Sequence, residues 1–483
     1  MLLLGFASKL YSGPGAGWVS GSAGGVLYVA FWLLLVLAVA PRLAPARVAV
    51  AVFLVTSVLE LLQLWQPAWL APIRASFLGH ALVGSTFSAL DFPHYALGAL
   101  IGWAYALRAG DGFEIESPAD PEVPSTMAEV DPRMEAWREP VRGGYPDPAL
   151  FVLPGIDRLR AQLDGKTPTC PLSHLVGTRL TEVGPGKATF TMPASPWLVS
   201  PQGAIAVGTL AILADAPLGC AIQTALPPGT AYTTSELSLR AVRPAQVGSL
   251  LTAKGRLVHA GRRIALSEVL VEDAAGRLVA HGSSLCFVFP ATSPPIVRPS
   301  GSRLAREPEH ATPDPYLRPV VGAVVPQKVW DEMSGLEMLT ASLAGELPAP
   351  ATRYLLGLRL VEAARGSAAF ALPATEWLCP PTGMVEGGVI AMLADAALSS
   401  AIMTVTPAAT AMAPFDLKVN FLRPGIADGR ELFARGTVAH AGRTIVVAHS
   451  EVVNADGKHV ALATGSALLL PGRSASLVDL PID

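Results

Sequence analysis

"GMVEGGVIAMLADAALSSAI", residues 383–402, sets one acid, Asp395, in the middle of an otherwise apolar stretch. Apolar residues recur on nearly every face, which reads as a helix buried all round. Burying a carboxylate is costly unless it is paired or put to use. Residues 203–222, "GAIAVGTLAILADAPLGCAI", repeat the arrangement around Asp215, 180 positions earlier. The register extends outward from the two acids. Gly177 matches Gly357, Gly186 matches Gly366, Trp197 matches Trp377, and Arg243-Pro244 matches Arg423-Pro424, all at the same spacing. After a one-residue insertion, "VHAGR" at 258–262 matches "AHAGR" at 439–443. The chain therefore contains a duplicated domain.

Within each copy the order of elements is the same. A strand pattern ("KATFTMPAS", "SAAFALPAT") precedes the long apolar helix, and alternating strands follow it, such as "TSELSLRAVRP" and "SLLTAKGRLVHAG". "DAAG" and "NADG" are hairpin turns. A helix apolar on every face needs a wrapper, and those strands supply it. The expected fold is α+β: two tandem domains, 148–290 and 327–472, each an antiparallel sheet curled round a central helix. Trp197 and Trp377 read as core. Residues 109–147, which include "GFEIESPADPEVPSTMAEVDP", and 291–326 are too rich in Pro and charge to hold a core and read as tethers, with 473–483 a tail.

The N-terminal quarter differs. In a chain that is 51% hydrophobic and only 15% charged, residues 25–41, 46–64 and 92–107 are apolar runs about long enough to span a bilayer. A domain of three transmembrane helices over 1–108 is expected. Arg42, Arg47 and Arg108 would then face the cytoplasm and leave the tandem domains on that side. Glu60, Gln63, Arg74 and Asp91 are costly in a bilayer unless paired or at its edge. No signal peptide is evident. A net charge of −3 with no basic patch argues against nucleic acid, and four scattered cysteines without a CxxC pair argue against zinc or a disulfide framework.

The segments "EGGVIAMLADAA" (386–397), "DLKVNFLRP" (416–424) and "AHAGR" resemble the hotdog-fold thioesterases of the PaaI-like acyl-CoA type, whose hallmark is His-Gly-Gly at the helix start and an acid two turns later. The resemblance covers both repeats and implies a tandem hotdog pseudo-dimer. It also implies an acyl-CoA substrate, with coenzyme A as part of that substrate and no other cofactor. Hotdog proteins also include non-catalytic acyl binders, and turnover distinguishes the two readings. Separately, "SVLELLQLW", Arg74 and "LDFPHYALGALIGW" resemble the VanZ-like group of bacterial membrane proteins. That likeness implies a place in the inner membrane.

Thioester hydrolysis needs a carboxylate to activate water or attack directly, and preorganised amides to hold the oxyanion. Gly387 and Gly388, at a helix N-terminus, suit the second task and Asp395 the first. Yet eight residues at about 1.5 Å each hold them about 12 Å apart on one helix. A pseudo-twofold axis resolves this by setting the acid of one helix against the glycine end of the other. Asp215 would then meet Gly387, and Asp395 would meet Val207-Gly208. The family pattern also has a Ser or Thr before the "RP" strand end. The first copy keeps Thr234 there but has lost its glycine pair, while the second keeps its glycines but has Pro414. One full site is expected, from Asp215, Thr234, Glu386, Gly387 and Gly388. Three departures weigh against it: Glu386 replaces the usual histidine and reads as a capping or exposed acid, Pro380 stands where a polar residue is wanted, and Pro217 should interrupt its helix. Arg262 and Arg443 are candidates for the phosphates of coenzyme A.

Overall fold

The computed structural model describes residues 23–39, 45–62, 91–110, 135–291 and 310–473. They fall into two units, Met1–Pro121 and Glu122–Asp483.

The first unit holds three helices, α1 (Ala23–Val39), α2 (Pro45–Leu62) and α3 (Asp91–Gly110). α3 lies close to α1 because Gly98 lacks a side chain: a Cβ there would sit 2.4 Å from the Val26 carbonyl oxygen. Glu60 is buried, and its carboxylate accepts a 2.8 Å hydrogen bond from the Tyr95 hydroxyl. The three spans expected from sequence are not found. Among the described residues no helix is long and apolar enough to cross a membrane. α1 has 17 residues, about 26 Å of helix against about 30 Å of hydrocarbon. α2 carries Arg47 and Glu60, and α3 carries Asp91, His94 and Arg108. Gln63 and Arg74 lie outside the described residues, as does the side chain of Asp91.

In the second unit, repeat 1 runs α4 (Gly155–Leu163), α5 (Pro171–Val176), β1 (Arg179–Gly184), β2 (Lys187–Pro193), α6 (Val207–Gln223), β3 (Tyr232–Ala241), β4 (Leu250–Ala260), β5 (Ile264–Glu272) and β6 (Leu278–Val288). Repeat 2 runs α7 (Gln327–Glu332), α8 (Gly335–Leu343), α9 (Ala351–Leu356), β7 (Arg359–Ala364), β8 (Ser367–Pro373), α10 (Gly387–Met403), β9 (Thr410–Phe421), β10 (Glu431–Ala441), β11 (Ile445–Asn454) and β12 (His459–Pro471). The strands make one sheet in the order β1-β2-β4-β5-β6-β3-β9-β12-β11-β10-β8-β7. Its second half is the first half reversed, so the two hotdog sheets join edge to edge through antiparallel β3 and β9. In that ladder Ser238 stands opposite Lys418. These are equivalent positions 180 residues apart, so the pseudo-twofold axis passes between them.

Each half wraps its own helix, as the apolar periodicity requires, and the two helices pack on each other. Ile212, Leu213, Ala391 and Leu393 are fully buried in the core that the two repeats share. Strands approach the helices closely at Gly255 and Gly436, where a Cβ would lie 2.2 Å from the carbonyl oxygens of Pro217 and Ala397. Pro217 does not interrupt its helix. α6 continues to Gln223, although the missing N–H leaves the Leu213 carbonyl without its intrahelical bond.

The ends of the two expected tethers are packed. Residues 135–147 reach repeat 2, where the Trp377 indole N–H donates to the Glu139 carbonyl at 2.9 Å. Residues 310–326 reach repeat 1, where the Trp197 indole N–H donates to the Arg318 carbonyl at 3.0 Å. Each strap thus crosses to the other repeat. The two are tied by an Arg318–Glu139 ion pair and by Arg142, which donates to Thr312 Oγ1 at 2.6 Å.

Candidate active site at the helix crossing

Glycines let α6 and α10 approach to backbone contact. A Cβ on Gly388 would lie 2.4 Å from the Ala211 carbonyl oxygen, and one on Gly208 would lie 2.8 Å from Met392 Cα. The crossing lays the acid of each helix on the N-terminus of the other. Asp215 Oδ2 accepts from the Gly388 N–H at 3.0 Å, and Oδ1 accepts from the Thr234 hydroxyl at 3.3 Å. Gly387 presses on the same carboxyl, since a Cβ there would be 2.7 Å from Asp215 Oδ2. Across the axis, Asp395 Oδ2 accepts from the Gly208 N–H at 2.9 Å. Its Oδ1 accepts from Ser399 Oγ at 3.3 Å, one turn along the same helix.

Burial pushes both acids up to about 6. For Asp215 the amides of Gly388 and Gly387 and the Thr234 hydroxyl hold the rise back, and for Asp395 the Gly208 amide and Ser399 do so. The competition is between desolvation, which favours the neutral acid, and donors that favour the anion. The outcome is a carboxyl poised to exchange a proton near neutrality.

The two ends are unequal. Glu386 belongs only to the Asp215 end, since Ala206 occupies its place beside Asp395. The expectation of a capping or exposed acid is overturned. Glu386 is 6% exposed, makes no side-chain cap, and has an Oε2 that is buried without a hydrogen-bond partner among the described residues. Its own N–H donates to the Leu378 carbonyl at 3.1 Å, which anchors the backbone and leaves the side chain inside. Burial and, secondarily, the Asp215 charge push this carboxyl well above the usual carboxylate range.

The structure therefore brings together Asp215, Thr234, Glu386, Gly387 and Gly388, and places Asp395 with Gly208. One role shifts: the Gly388 amide holds Asp215 and the Gly387 amide lies against the same carboxyl, so both glycines position the acid. Arg262 and Arg443 join neither acid: both are exposed at hairpin corners, closed by Gly261 N–H to Ile264 O and Gly442 N–H to Ile445 O. Ser399 was missed by sequence reasoning. Its position four residues after Asp395, on the same helix face, was the available signal.

Residues 202–280 and 382–461 match the family described as the thioesterase superfamily, and residues 15–99 match one described as a protein of unknown function, DUF2809. A candidate esterase of Halobacterium salinarum is 34% identical over 122 residues, which cover 23% of this chain and 79% of that protein. Among solved structures, a candidate thioesterase of Novosphingobium aromaticivorans is 19% identical with a TM-score of 0.39, covering 61% of this chain and 98% of that one. An acyl-CoA thioesterase II of Mycobacterium marinum is 12% identical with a TM-score of 0.38, covering 62% and 98%.

Proposed function

Because the chain belongs to the thioesterase superfamily and is a thioester hydrolase, we propose that it hydrolyses acyl-CoA at one composite site, built from Asp215 and Thr234 of repeat 1 and Glu386, Gly387 and Gly388 of repeat 2. The observation that carries this reading is the Gly388–Asp215 hydrogen bond between repeats, accompanied by the Thr234 hydroxyl at that end alone. The acyl-CoA class rests on the "EGGVIAMLADAA" resemblance. In the proposed step, water attacks the thioester carbonyl carbon while the Asp215 carboxylate takes its proton. The oxyanion gathers at the positive N-terminal end of α10, beside Gly387, and at the neutral carboxyl of Glu386. The C–S bond then breaks, and the departing thiolate takes the proton from Asp215. Asp395 lacks a hydroxyl partner across the sheet, an acid at the Ala206 position and a glycine pair, so it is assigned a structural role. The test is release of free coenzyme A from a panel of acyl-CoAs by the full chain and by Asp215→Asn. Turnover that survives the substitution unchanged would refute the site.

A further inference from the structure

α6 carries Asp215, Gly219 and Gln223 in one row, a helical turn apart, and β3 runs back along that row. Thr234 meets Asp215. Two residues earlier on the same strand face, Tyr232 meets Gly219, where a Cβ would lie 2.8 Å from the tyrosine oxygen. Gln223 is two turns, about 12 Å, from the acid. There α4 closes the end of the row: the Gly155 N–H donates to the Leu226 carbonyl at 3.0 Å, and a Cβ on Gly155 would collide with the Gln223 carbonyl oxygen at 1.8 Å.

α4 brings Arg158 to this end. Its Nη2 donates to the Thr230 carbonyl at 3.2 Å, and its guanidinium lies 4.8 Å from the centroid of the Phe151 ring. Its Nε is buried without an acceptor. Among the described residues no carboxylate pairs with Arg158, and the Tyr232 hydroxyl has no hydrogen-bond partner. A half-buried cation whose Nε lacks an acceptor is costly to hold without a counter-ion.

Repeat 2 shows that the fold does not need it. Met338 replaces Arg158, Met412 replaces Tyr232 and Met403 replaces Gln223, each at the 180-residue spacing. The three methionines pack in one apolar cluster with Val325 and Trp330. The equivalent end of α10 is therefore solid core. Repeat 1 holds donors where its twin holds filling.

We infer that the substrate's acyl group carries a carboxylate at its far end, and that this carboxylate is bound at the Gln223 end of α6 by Arg158 and the Tyr232 hydroxyl. Arginine offers only donors in a planar fork, which a carboxylate matches with two parallel hydrogen bonds. The inference rests on the proposed placement of the thioester at Asp215.

The test uses the full chain carrying Asp215→Asn, so that bound thioester persists. Calorimetry compares an ω-carboxyacyl-CoA of about 12 Å reach with the methyl-terminated acyl-CoA of equal length, before and after Arg158→Met, which installs the repeat 2 residue. The carboxylate ligand should bind about tenfold to a hundredfold more tightly. Arg158→Met should erase that preference while leaving the methyl-terminated ligand within about twofold. Tyr232→Phe removes a single oxygen and should narrow the preference about threefold to tenfold, which keeps the test decisive if the methionine variant fails to fold. Equal affinities in the parent, binding of neither ligand, or an equal loss of both on Arg158→Met would overturn the inference. An equal loss is how a contact with the coenzyme A phosphates would behave. Turnover is read separately with Asp215 intact: a carboxylate preference in binding without hydrolysis would fault the catalytic reading and leave this one standing.

Discussion

Replacing Asp215 with asparagine should cost activity and add stability, and both magnitudes follow from the site. The folded carboxyl titrates near 6 against an ordinary 3.8, so about two pKa units, or about 3 kcal/mol, oppose its ionisation in the fold. Because the folded pKa is raised, nothing is lost at pH values below both pKa values, where folded and unfolded chains alike hold the proton. The deficit grows from about pH 4 to 6 and is complete above 6. Asparagine keeps an oxygen for the Gly388 N–H and turns its amide toward Thr234, at a cost of about 1 kcal/mol. A net gain of about 2 kcal/mol at pH 8 should turn into a net loss of about 0.5 kcal/mol at pH 4, where the asparagine cost outweighs the little that remains of the deficit. Removing the base should lower kcat/KM by about 10² to 10⁴. Asp395→Asn is the matched control, buried alike and titrating alike, and should show a similar stability gain with most activity retained. Free coenzyme A release and denaturant midpoints at the two pH values measure both effects. Equal activity losses in the two variants would refute the single composite site, and a stability change independent of pH would refute the desolvated acid.

The pH profile of kcat/KM should rise through about 6 as Asp215 ionises, and Asp395→Asn should leave that midpoint in place. Glu386→Gln should retain activity within about tenfold, because the amide still donates, whereas Glu386→Ala should lose about a hundredfold. Comparably inactive variants would show that the neutral-acid role is wrong. Gly388→Ala should destabilise the second unit by about 1–3 kcal/mol and abolish turnover, since its Cβ meets backbone at Ala211 and Ile212. Gly184→Ala, with nothing within 4 Å, should do neither when both are followed by thermal melting and coenzyme A release.

Periodicity and duplication made the helix-in-sheet fold legible, because a helix apolar on all faces has few ways to be buried. The helical rise alone ruled out a site on one helix and pointed across the axis, and the hydrogen bonds to Asp215 and Asp395 lie there. Local sequence could not reveal how Glu386 sits. An acid before a helix reads as a cap, and only the tertiary packing beside Leu378 turns it inward. Arg158 was equally hidden, since within "GIDRLRAQL" it reads as an ordinary charge on an amphipathic helix. Its Met338 counterpart becomes informative once the methionines are seen packed together. The apolar N-terminal runs do form helices at the expected places, but composition alone did not show that, among the described residues, none is long and apolar enough to cross a membrane.

The pairing at the centre of the sheet also determines which partner each repeat tolerates. Positions 238 and 418 lie on the axis, so in a dimer of identical repeats each would face itself. Two copies of repeat 2 would set Lys418 against Lys418, and like charges directly opposite repel. In the chain the lysine faces Ser238, while Arg240 stands opposite Asp416. Repeat 2 is thus fitted to its neighbour and mismatched to its own twin. A lineage that once relied on self-association would, after fusion, be free to accept such a residue and then hard pressed to revert to separate, symmetric subunits.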